Sequence, residues 1–226
     1  MPLVTGSVAE RVASLRERVD EVAVAAGRER GSVAILAVTK GQPREAVIEA
    51  LEAGLEDVAE NYLQEARAKY VDLPLSAKHF LGHVQRNKAT AIAALFDVVQ
   101  GVDRLDAGLA LARAARDAGR RLRVLIQVNV SPTERFGAKP ADAPALAARL
   151  RDEGLAVEGV MAIGPLGGDV DAAFGAARAA YDRVGGPTLS LGMSGDWEQA
   201  VRHGSTMVRL GTAIFGPRPP RERSLA

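Results

Sequence analysis

Read for the spacing of its apolar side chains, the chain opens with a helix. Val8, Val12, Leu15, Val19 and Val22 recur at three- and four-residue intervals, which puts them on one helical face. Ser7 and Glu10 stand at capping-box spacing ahead of the run, and Gly27 follows it. The pattern then changes. In "AILAVTKGQP" (Ala34–Pro43) a continuous apolar stretch with β-branched members reads as a strand, and it ends on a lysine, a glycine and a helix-starting proline. From there a rhythm sets in. A helix is predicted from Pro43 to about Ala53, with proline in its first turn and Gly54 past its last. "DVAEN" leads to a helix from about Tyr62 to Lys69, "HFLG" to one from about Val84 to Leu95, and "DVVQGV" to one from about Arg104 to Ala118. "RVLIQVNV" (Arg123–Val130) is the clearest strand, and a helix from about Ala143 to Glu153 follows it. "VEGVMAI" precedes a helix from about Ala172 to Val184, "TLSLGM" a short helix from about Asp196 to His203, and "MVRLG" the segment "TAIFG".

One leading helix and then eight strand candidates alternating with helices argue for a parallel sheet with helical crossovers. Eight such units in 226 residues match a (β/α)8 TIM barrel near the lower end of its size range. An open doubly wound sheet is the alternative that the same alternation permits. No linker-like composition interrupts the rhythm, so residues 1–226 read as one domain, with an N-terminal helix within 1–30. The proline- and charge-rich end, "PRPPRERSLA" (217–226), reads as a frayed tail.

Composition narrows the chemistry. Apolar residues make up 47% and charged residues 25%, an ordinary globular balance, and a net charge of +1 offers no basic footprint for nucleic acid or an anionic membrane. The absence of cysteine removes disulfides, thiol catalysis and thiolate metal sites, and it fits a reducing compartment. With three histidines, His79 and His83 separated by Gly82 at a strand-to-helix turn, no metal site is expected. The N-terminus lacks the apolar core of a signal peptide and no segment is long and apolar enough to span a bilayer, so a cytoplasmic protein is expected.

A barrel works at the C-terminal ends of its strands, and Lys40 falls at such an end. An ammonium buried there without a partner costs several kcal/mol, so the lysine must either reach water or have a chemical use. Desolvated, it can lose its proton near neutral pH and form a Schiff base with a carbonyl. "GMSGD" (Gly192–Asp196) and "RLGTAIFG" (Arg209–Gly216) are glycine- and hydroxyl-rich turns after the seventh and eighth strands, opposite that lysine, where barrels commonly hold a phosphate. Ser194, Gly211 and Thr212 are its natural contacts. Arg209 stands two residues before Gly211, hence on the same side of its strand. Inside a barrel it needs an acceptor, either a carboxylate from a neighbouring strand or a pyridine nitrogen. A carbonyl, a phosphate and a pyridine nitrogen on one small molecule describe pyridoxal 5′-phosphate.

The segments "AVTK", "AENY", "HFLGHVQRNK", "GVMAIGP" and "LSLGMSGDWEQAVRHGSTMVRLGTAIFG" closely resemble the pyridoxal phosphate homeostasis proteins, also called the proline-synthetase co-transcribed family, from about Val33 to Arg218. The resemblance implies a barrel like the N-terminal domain of alanine racemase (the type III pyridoxal phosphate fold) that holds the cofactor without a second domain. It implies that Lys40 forms the Schiff base, that Ser194, Gly211 and Thr212 contact the phosphate, that Arg209 faces the pyridine nitrogen and that Asn61 lines the cofactor. His79, Gln85 and Asn87 belong to the family signature without an assigned role. One loop departs from the family: in "SPTERFG" Arg135 stands where many relatives carry a lysine, two residues before Gly137. Arginine keeps the charge but cannot become a neutral nucleophile, which puts any role of that lysine toward a second cofactor molecule in doubt.

An arginine at the ring nitrogen weakens the cofactor as an electron sink. The resembling racemases take a second base, a tyrosine, from a domain that has no counterpart in this sequence. Of Tyr62, Tyr70 and Tyr181 only Tyr62 follows a strand end, and it is expected to pack in the helix starting there. The expectation is therefore a largely non-catalytic, monomeric pyridoxal phosphate carrier serving intracellular homeostasis, with pyridoxal phosphate-dependent apoenzymes as acceptors. A racemase or lyase using Lys40 as base, and a sugar-phosphate enzyme of aldolase type, are the alternatives.

Overall fold

Ser7 Oγ accepts the Glu10 N–H at 3.2 Å and Glu10 Oε2 accepts the Ser7 N–H at 2.7 Å, so α1 (Val8–Ala25) starts where the capping box places it. The computed structural model describes residues 6–217 except 134. Eight strands follow α1: β1 (Ala34–Val38), β2 (Asp57–Glu60), β3 (Ala77–Phe80), β4 (Val98–Val102), β5 (Arg123–Val128), β6 (Ala156–Ala162), β7 (Thr188–Ser190) and β8 (Met207–Leu210). They are parallel in sequence order, and β8 pairs with β1 through Ile35–Val208 and Leu36–Arg209. That pairing closes the barrel and removes the open doubly wound alternative. The connecting helices are α2 (Arg44–Glu52), α3 (Leu63–Lys69), α4 (Ala89–Leu95), α5 (Leu105–Asp117), α6 (Ala143–Asp152), α7 (Val170–Val184) and α8 (Trp197–Arg202), with a last turn of helix, α9 (Thr212–Phe215).

The pattern-based elements agree with these to within a few residues, with three differences. The helix expected from Val84 begins as a 3-10 turn at Arg86–Lys88 and becomes α-helical only at Ala89. β5 stops at Val128, because Asn129 turns back to bond the Ala138 carbonyl rather than extending the strand. "TAIFG", read as a turn, contains α9, whose Ile214 and Phe215 amides bond the Gly211 carbonyl. The expected tail lies, Pro217 apart, outside the described residues.

Strand alternation sorts side chains into two layers. Ala37, Val58, Phe80, Val99, Ile126, Val160, Leu189 and Val208 face outward and pack under the helices in the main core. α1 packs against α2, α8 and α9, and lays Val8, Val12, Val19 and Ala23 onto that core. Leu36, Val38 and Ala59 form a separate cluster with Leu81 and Met207 inside the barrel. The rest of the interior mixes apolar side chains such as Leu125 and Met161 with the buried polar groups His79, Gln100, Ser190 and Arg209.

Candidate functional site

The alternation that puts Leu36 and Val38 inside the barrel continues to Lys40, so the lysine leaves β1 toward the barrel mouth. There it lines a cavity of about 260 Å³ at the C-terminal ends of the strands. Asn61, Ser194, Arg209, Gly211 and Thr212 line the same cavity, so the structure brings together all six residues singled out from the sequence. Val38, Leu81, Met161, Ile163 and Met193 supply an apolar wall, and Gln42 and Gly195 complete the lining. Sequence reasoning missed these. The apolar members carry no chemical signal of their own, and only the barrel's curvature turns them toward a common space.

Closure also corrects one expectation of placement. The loops after β7 and β8 are not opposite Lys40, because β8 pairs directly with β1. Gly211 and Thr212 therefore stand just past the end of the strand that pairs with β1, beside the lysine. Ser194 links the two loops, its Oγ accepting the Ala213 N–H at 3.3 Å.

Arg209 is buried, and within the chain its acceptors are not the carboxylate that was one of the two sequence-based expectations. Its Nη1 donates to the Ser190 carbonyl at 2.7 Å and to Ser190 Oγ at 2.8 Å, and its Nη2 donates to the Ala162 carbonyl at 2.8 Å. No carboxylate bonds it among the described contacts; neutral oxygens from β6 and β7 do. Burial lowers its pKa to about 10, which leaves it a cation at neutral pH. The hydrogen bonds continue into the barrel: Ser190 Oγ donates to Gln100 Oε1 at 2.8 Å, and Gln100 Nε2 lies 2.9 Å from His79 Nδ1. With the Gln100 amide donating, His79 Nδ1 is the acceptor and the ring proton sits on Nε2. Burial, reinforced by Arg123, drops the His79 pKa to about 3, so the ring is neutral. The signature histidine thus belongs to the support of Arg209, a role only the fold reveals.

Asn61 donates its backbone N–H to Glu60 Oε1 at 2.8 Å, while its side-chain Oδ1 is buried without a hydrogen-bond partner. An orphaned acceptor in a cavity wall fits a ligand that brings a donor. Tyr62, expected to pack, is instead 51% exposed at the N-cap of α3. Tyr70 is buried against Thr39 Oγ at 2.7 Å, and Tyr181 donates to the Gly186 carbonyl at 2.6 Å. None of the three tyrosines lines the cavity. In the loop after β5, Arg135 is exposed, and Phe136 stacks on His83 with ring centroids 3.9 Å apart.

A closed parallel barrel whose mouth gathers one amine, one buried guanidinium and two glycine- and hydroxyl-bearing loops is a barrel of the alanine racemase N-terminal type. The model of the alanine racemase N-terminal domain matches residues 11–219. The chain belongs to this family, and within it to the pyridoxal phosphate homeostasis proteins: it is 42% identical to that of Pseudomonas aeruginosa over 94% of this chain and 96% of the relative. It is 35% identical to that of Escherichia coli K12 over 93% and 97% of the two chains. Among solved structures, PipY of Synechococcus elongatus with pyridoxal phosphate bound superposes with a TM-score of 0.80 at 35% identity, covering 93% of this chain and all of that one. Alanine racemase from Corynebacterium glutamicum shares the fold at a TM-score of 0.71 and 16% identity, and this chain covers 64% of its length.

Proposed function

We propose that this chain binds pyridoxal 5′-phosphate and holds it for cofactor homeostasis rather than using it for turnover. The observation that carries the reading is the convergence of Lys40, Arg209 and the two hydroxyl-bearing loops on one cavity. When bound, the cofactor supplies an aldehyde that condenses with a primary amine, releasing water, and a ring that withdraws electrons. Lys40 is the amine that would form the Schiff base. Ser194, Gly211 and Thr212 would hold the phosphate through backbone N–H and hydroxyl groups. Asn61 Oδ1 offers an unsatisfied acceptor at the wall. Arg209, fixed by its carbonyl partners, presents positive charge and opposes a second cation beside it, which keeps a pyridine nitrogen there unprotonated.

Turnover of the racemase kind needs a second acid–base group across from the lysine. No tyrosine lines the cavity, and the relatives matched over nearly their full lengths are homeostasis proteins. On this reading the natural acceptors of the cargo are apoenzymes that require it, served by a monomeric carrier. The test is borohydride reduction of the cofactor-loaded protein followed by peptide mass mapping. The reduced adduct is expected on the peptide containing Lys40 and absent in Lys40→Ala; an adduct confined to another lysine would overturn the assignment.

A further inference from the structure

We propose that Glu60, Lys69 and Glu65 form a buried clamp that aims Lys40 into the cavity, making them positioning residues for the amine; this rests on Lys40 being the group that carries the ligand. Lys69 lies in the last turn of α3, a place where a lysine normally reaches water. Its side chain is instead only 8% exposed. Nζ donates to three oxygens, Glu60 Oε2 at 2.5 Å, the Thr39 carbonyl at 2.7 Å and Glu65 Oε2 at 3.0 Å, which uses all three ammonium protons. Glu65 Oε2 also accepts the Gly41 N–H at 2.8 Å. The carbonyl just before Lys40 and the amide just after it are therefore both held by α3.

The same cluster reaches the other wall of the cavity. Glu60 Oε1 accepts the Asn61 N–H at 2.8 Å, and Glu60 Oε2 accepts from Thr39 Oγ at 3.3 Å. One carboxylate thus joins the ends of β1 and β2 where Lys40 and Asn61 leave the barrel. Alternation makes the device work: Thr39 and Glu60 face outward under α3, so holding them fixes their neighbours toward the interior. Gly41, at φ +69°, takes the left-handed conformation that the turn after Lys40 requires. A buried ion pair is weak evidence for stability, since apolar residues of similar size often replace one without loss. Three ionisable groups placed around the backbone of one strand end are better explained by direction than by stability.

The test compares the full-length protein's affinity for pyridoxal 5′-phosphate with that for pyridoxine 5′-phosphate, which has an alcohol in place of the aldehyde and cannot condense with an amine. In the wild type the ratio of the two affinities measures the amine's contribution. Lys69→Met is expected to cut that ratio by about tenfold or more, because a misdirected amine loses its near-attack geometry. Affinity for the alcohol should fall by a smaller factor, set by how far Asn61 moves, since the phosphate loops share no described hydrogen bond with the clamp. Glu65→Gln, which keeps an acceptor for Gly41 but loses the charge, is expected to reduce the ratio by a smaller factor. Should Lys69→Met fail to melt cooperatively, Glu65→Gln decides alone. A wild-type ratio in the folded variant or variants would overturn the clamp. A wild type that shows no preference for the aldehyde and no adduct at Lys40 would instead overturn the reading on which the clamp rests.

Discussion

Lys69 and Arg209 are both buried cations, and they are solvated differently. Lys69 meets two carboxylates and a carbonyl, so its charge is compensated within α3 and β2. Arg209 meets two carbonyls and a hydroxyl, so neutral oxygens bond it; burial lowers its pKa, and the Asp196 charge, which is not hydrogen-bonded to it, opposes that shift. On the proposed reading, a charge held at the barrel mouth by neutral oxygens suits an electron-rich ring nitrogen. His79, at the far end of the same hydrogen-bond chain, must stay neutral. Its pKa is 6.5 when unfolded and about 3 in the fold, so between those values the unfolded chain binds the extra proton. The resulting stability is fully present above pH 6.5 and is lost as pH falls toward 3. The slope approaches at most about 1.4 kcal/mol per pH unit for this one group. Asp57, whose carboxyl lies 4.0 Å from His79 Nε2 and whose pKa burial raises, contributes in the opposite sense at the acid end. Urea midpoints at pH 7 and pH 5 should therefore differ more in the wild type than in His79→Gln. Equal differences would show that the ring is not the titrating group.

At the scale of elements, the site depends on how closely neighbouring strand ends approach. A Cβ added at Gly82, just past β3, would run into the Asn61 carbonyl oxygen after β2 and the edge of the Phe80 ring. The first obstacle is backbone, which cannot rotate away. Gly82→Ala is therefore expected to push the β2 and β3 ends apart and to cost about 2 kcal/mol, read as a lower urea midpoint. The same shift moves Asn61, so cofactor affinity should fall by about tenfold. Unchanged stability and affinity would mean that the strand ends relax freely. Local signals were legible here wherever the physics is local. The capping box of α1 depends on two residues three apart, and both bonds are present. The 3-10 start before α4 and the short α9 were not legible, since neither follows from periodicity and each answers to packing around its turn.

For the whole molecule, closure is the decisive event. Pairing β8 with β1 places residues some 170 positions apart in sequence, Lys40 and Gly211, just past the ends of adjacent strands. Loading such a site should stabilise the entire barrel, because a ligand that binds only the folded chain adds RT ln(1 + [L]/Kd). At a hundredfold excess over Kd the gain is about 2.7 kcal/mol, visible as a raised melting temperature. The rise should shrink markedly in Lys40→Ala at the same cofactor concentration. An equal rise in both proteins would mean that the amine contributes nothing to binding.

By itself the sequence determined the alternation of strands and helices, the capped first helix and five of the six residues around the cavity, because period, capping and strand-end chemistry are written in neighbouring positions; Asn61 came only with the family resemblance. The tertiary structure alone decided that β8 lies beside Lys40, that neutral oxygens hold Arg209, that His79 is a neutral link in its support, and that Lys69 is buried rather than solvated. Each of these depends on which strands and helices become neighbours when the sheet closes. An ionisable side chain carries no mark of its future neighbours, and it is they that set its charge and direction.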